Sequence, residues 1–157
     1  MNIIVEDIEL NDSRFECDKV TILPENFYDS DDKYQYSSTT ISFWKYAKSK
    51  IKIDFLTEPE LLVEQRSGEW FGPTILLTSS VLTQNSEIVS IFCGVISNYL
   101  SDFFKSITTP NVKLKVLYKE TKSSKITEIS YEGDLAGMDK LEASILKIAD
   151  QGKYIEK

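Results

Sequence analysis

The chain has 157 residues, 41% hydrophobic and 11% aromatic, enough apolar material for one domain with a core of its own and too much for a disordered chain. It carries 25 acidic and 18 basic residues, of which two are arginines, and it has no histidine. That composition excludes Ser-His and Cys-His nucleophile pairs, an imidazole base and histidine metal ligands, and it leaves almost none of the guanidinium forks that read bases and grip phosphates.

The net charge of −7 has one source. Residues 1–36 hold ten acids (Glu6, Asp7, Glu9, Asp12, Glu16, Asp18, Glu25, Asp29, Asp31 and Asp32) against Arg14, Lys19 and Lys33, while the remainder balances at fifteen to fifteen. An acidic third of this kind repels nucleic acid and anionic membranes and attracts a basic protein. Cys17 and Cys93 cannot build a four-ligand zinc site between them; both lie in apolar pattern, which predicts buried free thiols and a cytoplasmic location. The opening "MNIIVEDIEL" has acids where a secretory leader has a basic region.

In chain order, residues 2–10 (NIIVEDIEL) and 15–23 (FECDKVTIL) read as strands joined by the turn-forming "NDS", a hairpin or two neighbours. Residues 24–38 predict a long loop containing Asp31, Asp32, Tyr28, Tyr34 and Tyr36. A hydroxyl at Ser37, Ser38 or Thr39 caps a predicted helix through "TISFWKYAKSK". In "IKIDFL" (51–56) Ile51, Ile53 and Phe55 alternate with Lys52 and Asp54, the pattern of a half-buried strand. "ELLVEQRS" predicts another strand, and "SGEWFGP" a glycine-bounded turn presenting Trp70 and Phe71. "TILLTS" fits a buried strand or a helix start.

Residues 86–104 put Ile88, Ile91, Phe92, Val95, Ile96, Tyr99, Leu100, Phe103 and Phe104 at three- and four-residue spacing, a central apolar helix. Within it Gly94 suggests a close backbone approach. At 13 residues the run from 88 to 100 is short of the roughly 20 needed to span a bilayer. "VKLKVLYKE" and "KITEISYEG" predict a hairpin whose four-residue loop sets Leu114 against Tyr131, Val116 against Ile129 and Tyr118 against Thr127, with Lys113 facing Glu132 and Leu117 facing Glu128. Lys113, Lys115, Lys119, Lys122 and Lys125 then form a solvated stripe, the one basic cluster expected. "GMDKLEASILKIADQG" predicts a last helix capped by Gly152. These elements define an α+β fold, residues 1–157 as a single domain with a mostly antiparallel sheet against the central and C-terminal helices.

Two functional readings compete. Asp54, Glu64 and Arg66 have the outline of an Asp, spacer, Glu-x-Lys nuclease site, in which two carboxylates hold Mg²⁺. Arginine for lysine is a poor base, and Asp54 faces away from Ile53 and Phe55, so catalytic residues, metal and cofactor are expected to be absent. The favoured reading is a non-enzymatic protein whose partner, another protein and by charge a basic one, meets Tyr28, Tyr34, Tyr36, Trp70, Phe71, Asp31 and Asp32. Residues 86–150, an apolar helix, "VKLKVLYKE", a turn, "KITEISYEG" and an amphipathic helix, resemble the small effector-associated components of bacterial conflict and defence gene clusters. That resemblance implies an adaptor, accessory, immunity or inhibitor-like component that binds an effector.

Overall fold

The computed structural model describes residues 2–9, 17–24, 35–58, 61–63, 69–103, 105, 111–121 and 125–155. They form eight strands and four helices: β1 (Asn2–Glu9), β2 (Val20–Leu23), β3 (Gln35–Ser37), α1 (Ser38–Ala47), β4 (Ile53–Phe55), β5 (Leu61–Val63), β6 (Glu69–Thr78), α2 (Ser79–Gln84), α3 (Ile88–Phe103), β7 (Asn111–Lys119), β8 (Lys125–Gly133) and α4 (Met138–Ile155). Six strands make one mixed sheet in the order β1-β8-β7-β6-β2-β4, and β3 and β5 pair as a separate parallel ribbon. The fold is α+β, as the sequence predicts.

All four helices contribute to one core against the sheet. Phe43 and Ala47 of α1, Val81 of α2, Phe92 and Ile96 of α3, and Leu141 and Ile145 of α4 join Ile22, Ile75, Leu77, Val116, Ile129 and Tyr131 of the strands. The opposite face of the sheet holds a smaller cluster, Leu23, Leu76, Leu117 and Ile126, with Ile8, Cys17 and Leu56 against it. Successive strand residues point to opposite faces, so "ILL" in β6 feeds both clusters in turn. That two-sided burial decides the ambiguous "TILLTS" in favour of a central strand.

β6 and β7 run parallel and are joined through α2 and α3. Thr78 caps α2, its Oγ1 accepting from the Val81 amide at 3.4 Å. The β7-β8 hairpin has the register read from the sequence at all five positions. After it Asp134 starts a 3-10 turn, its Oδ1 accepting from the Gly137 amide at 3.2 Å, and α4 lays Met138, Leu141 and Ile145 on the core.

Several expectations are corrected. β1 and β2 are not a hairpin: β1 pairs with β8, while β2 sits between β4 and β6. β2 is buried at all four positions and so needs a neighbour on each side, whereas β1 is mostly exposed and suits an edge. Residues 69–73 are not a turn: Trp70 and Phe71 pair with Val112 and Lys113, and Gly72-Pro73 lie in a register shift, where a residue lacking an N–H is tolerated. Tyr36 lies in β3 and α1 starts at Ser38, so the loop predicted for 24–38 ends earlier. α4 continues past Gly152 to Ile155. Gly94 makes no close approach, since a Cβ there meets nothing within 4 Å, and Ile91 is turned outward at 38% exposure. Lys119 is not on a solvated stripe but 2% exposed. Cys93 is buried as expected; Cys17 is only half-buried.

Candidate interaction surface at the edge strand

The first candidate site is the mixed Asp54 constellation. Asp54 is exposed on β4, with Oδ2 3.2 Å from Lys19 Nζ and Oδ1 accepting from the Phe55 amide at 2.9 Å. Glu64 and Arg66 lie outside the described residues, as do Tyr28, Tyr34, Asp31 and Asp32. Among the described residues no group of three or more His, Cys, Asp and Glu side chains could hold a metal ion.

Of the aromatic residues assigned to partner binding, Tyr36 is corrected outright. It is 1% exposed, packs edge-on against Phe55 at 5.0 Å between ring centroids, and its hydroxyl donates to Thr57 O at 3.0 Å and accepts from Thr57 N at 3.2 Å. The loop-like composition around it concealed a short strand whose tyrosine completes the core. Trp70 and Phe71 belong to β6, an interior strand of the sheet.

The two edges of the six-stranded sheet differ. β4 is three residues long, and its Ile53 carbonyl accepts from the Trp44 indole Nε1 at 3.2 Å. β1 is eight residues long and, among the described residues, is paired only on its β8 side. It also carries Ile4 and Val5, 54% and 50% exposed, the two most exposed large hydrophobic side chains among the described residues. Being adjacent in a strand, they face opposite sides of the sheet. Beside them stand Glu6, Asp7 and Glu9, the last in register with Lys125 of β8.

Behind this edge a groove of about 320 Å³ opens on the sheet face away from the helices. Register sets its floor: Ile4, Ser130, Lys115 and Thr74 lie in one row across β1, β8, β7 and β6, and Asn2, Glu132 and Lys113 in the next. Lys113 Nζ lies 3.9 Å from Glu132 Oε1, and Lys115 Nζ lies 3.0 Å from Glu128 Oε1. Glu6 stands directly opposite Glu128, so Lys115 offsets a carboxylate pair that would otherwise repel across the strands. The groove thus offers hydroxyl, carboxamide and internally neutralised charges beside a strongly acidic strand edge, an arrangement suited to holding an extended chain.

Sequence reasoning placed β1 as a strand but gave it the wrong neighbour, because "NDS" looked like a local turn. A signal was present: in "NIIVEDIEL" apolar residues at 3, 4, 5 and 8 fit no single face, which argues against a strand with one buried side. Burial raises the Tyr131 phenol pKa, reinforced by Asp134 and then Asp139, and its hydroxyl donates to the Asp134 carbonyl below the groove.

Among the described residues the architecture is that of an α+β protein with one blunted and one open sheet edge. No protein-family model matches the chain, and neither the curated proteins nor the solved structures give a match. Among the described residues no helix is long and apolar enough to cross a membrane.

Proposed function

We propose that this protein acts by binding another protein, whose extended segment adds to the sheet along β1. The observation that carries the reading is the edge itself: eight residues, with exposed Ile4 and Val5 followed by the acids Glu6 and Asp7. Main-chain hydrogen bonds along an open edge give affinity, and side chains on alternating faces give selectivity. Edge acids commonly prevent edge-to-edge aggregation. Here they do so against a second copy, which would bring six carboxylates into one ribbon, while favouring a strand with lysine or arginine opposite Glu6 and Asp7. Such a protein works by occupying its partner, the mode of an accessory, immunity or inhibitor-like component, and needs no catalytic group or cofactor.

The test uses synthetic eight-residue strands alternating valine with lysine, and matched strands with glutamate for lysine. The cationic strand should bind and slow hydrogen exchange at residues 2–9, and Glu6→Lys with Asp7→Lys should abolish both effects. Binding indifferent to the sign of the probe, or protection appearing away from β1, would sink the reading.

A further inference from the structure

The open edge of β1 is not uniform along its length. Ile3 and Ile8 are half-buried, whereas the four residues between them, Ile4, Val5, Glu6 and Asp7, are all exposed. Register with β8 assigns the four to faces. Ile4 and Glu6 lie opposite Ser130 and Glu128 on the groove face, and Val5 and Asp7 lie opposite Ile129 and Thr127 on the helix face. Each face of the edge therefore presents one apolar side chain and, two positions on, one carboxylate.

Those two carboxylates differ from the third acid of the strand. Glu9 is in register with Lys125, but Glu6 makes no ion pair among the described residues, and the carboxylate opposite it, Glu128, already holds Lys115 Nζ at 3.0 Å. Asp7 Oδ1 accepts from the Thr127 hydroxyl at 3.2 Å, which fixes the group without neutralising it. A second copy of β1 cannot supply the cations, since the strand has neither lysine nor arginine.

We infer, resting on strand addition at this edge, that the incoming segment carries two consecutive basic residues followed directly by two consecutive apolar ones, and that it runs antiparallel to β1. Consecutive strand residues point to opposite faces, so a basic pair sends one cation to Asp7 and the other to Glu6, and an apolar pair covers Val5 and Ile4 on their separate faces. A strand that alternates basic and apolar residues puts all its cations on one face, where one of them meets isoleucine or valine while the carboxylate on the other face goes unmatched. Antiparallel pairing sets residues directly opposite one another and is the more stable arrangement per residue. Because β1 runs from apolar to acidic, that direction places the basic pair of the segment first. A further basic residue opposite Glu9 adds little, since Lys125 already stands beside it.

The experiment titrates the full chain with three eight-residue strands that have threonine ends and equal composition. Their cores are lysine-lysine-valine-valine, the reverse order, and alternating lysine-valine-lysine-valine, so net charge and hydrophobicity are the same and only order differs. The first should bind about threefold or more tighter than either of the others, since it gains one charge pair and one apolar pair over the alternating strand. Variants at exposed positions read the direction. Glu6→Gln should remove the benefit of the second lysine and Asp7→Asn that of the first, each measured by replacing that lysine with threonine. Protection of residues 2–9 from hydrogen exchange by all three strands at equal affinity, or by the reversed strand at higher affinity, overturns this inference and leaves strand addition standing. If none of the three protects residues 2–9, strand addition itself fails, and the inference with it.

Discussion

Alkali should probe the α3-α4 interface through Cys93. The thiol is 3% exposed in the main core, and burial, reinforced by Glu142 on α4, pushes its pKa from 9.0 up to about 12. A group whose pKa is raised by folding supports the native state below its unfolded pKa and loses that support as pH rises through the window, here from about 9 to about 12. Each pH unit inside the window is worth ~1.4 kcal/mol, so the contribution lost between about pH 8 and pH 10.5 is on the order of 2 kcal/mol. The measurement is a difference against a variant lacking the thiol, so that every other effect of alkali cancels. Urea unfolding of the wild type and of Cys93→Ala, at several pH values, should show the wild type's advantage shrinking by that amount. Iodoacetamide at pH 9 should leave Cys93 unmodified until the chain unfolds. A difference that stays flat with pH, or a native Cys93 alkylated as fast as a small-molecule thiol, would refute the reasoning.

Gly94→Ala should raise stability by about 0.5–1 kcal/mol in chemical denaturation, because a methyl group there meets open space and the helix interior gains a better former. For the Lys115–Glu128 pair the two truncations should differ. The lysine side chain is 42% exposed and the glutamate 10%, so Lys115→Met should cost ~1–2 kcal/mol while Glu128→Gln, which also removes the repulsion from Glu6, should cost less than ~1 kcal/mol. Equal or reversed costs would argue against that account. Tyr36→Phe should lower stability by about 1–2 kcal/mol without changing strand-peptide binding, since its hydroxyl serves Thr57 inside the protein; a selective loss of binding would return Tyr36 to the surface role it was first assigned.

Local information carried the reading where partners were close in sequence. The β7-β8 register followed from a four-residue loop and from lysines that needed acids opposite them, all within about twenty positions. The central helix was legible because apolar spacing reports burial directly, although Ile91 shows that spacing marks a face without saying what covers it. Long-range pairing was not legible. Nothing in "NIIVEDIEL" says that Asn2 will meet Glu132, nor in "QYS" that Tyr36 will be core. Lys119 was misplaced because alternation put it with Lys113 and Lys115, while the second apolar cluster against Ile126, its register neighbour, pulls that end of the face inside. Lys45, Lys48 and Lys50 fell in a predicted helix and Lys52 in the strand after it, and only folding brought Lys19 beside Lys48, Lys50 and Lys52 across a gap of some thirty residues.

The pairing of β1 with β8 also bears on how the chain folds. The Thr127 hydroxyl bonds the Asp7 carboxylate across 120 positions, so β1 waits for β8 before it has a neighbour, whereas β6 through β8 can assemble from nearer pieces. Closing so long a loop is entropically costly and is rewarded late. During synthesis β1 emerges early with its isoleucines, valine and acids unpaired, and the acids then have a protective task of their own: they keep a waiting strand from joining another chain before its own sheet is ready to receive it.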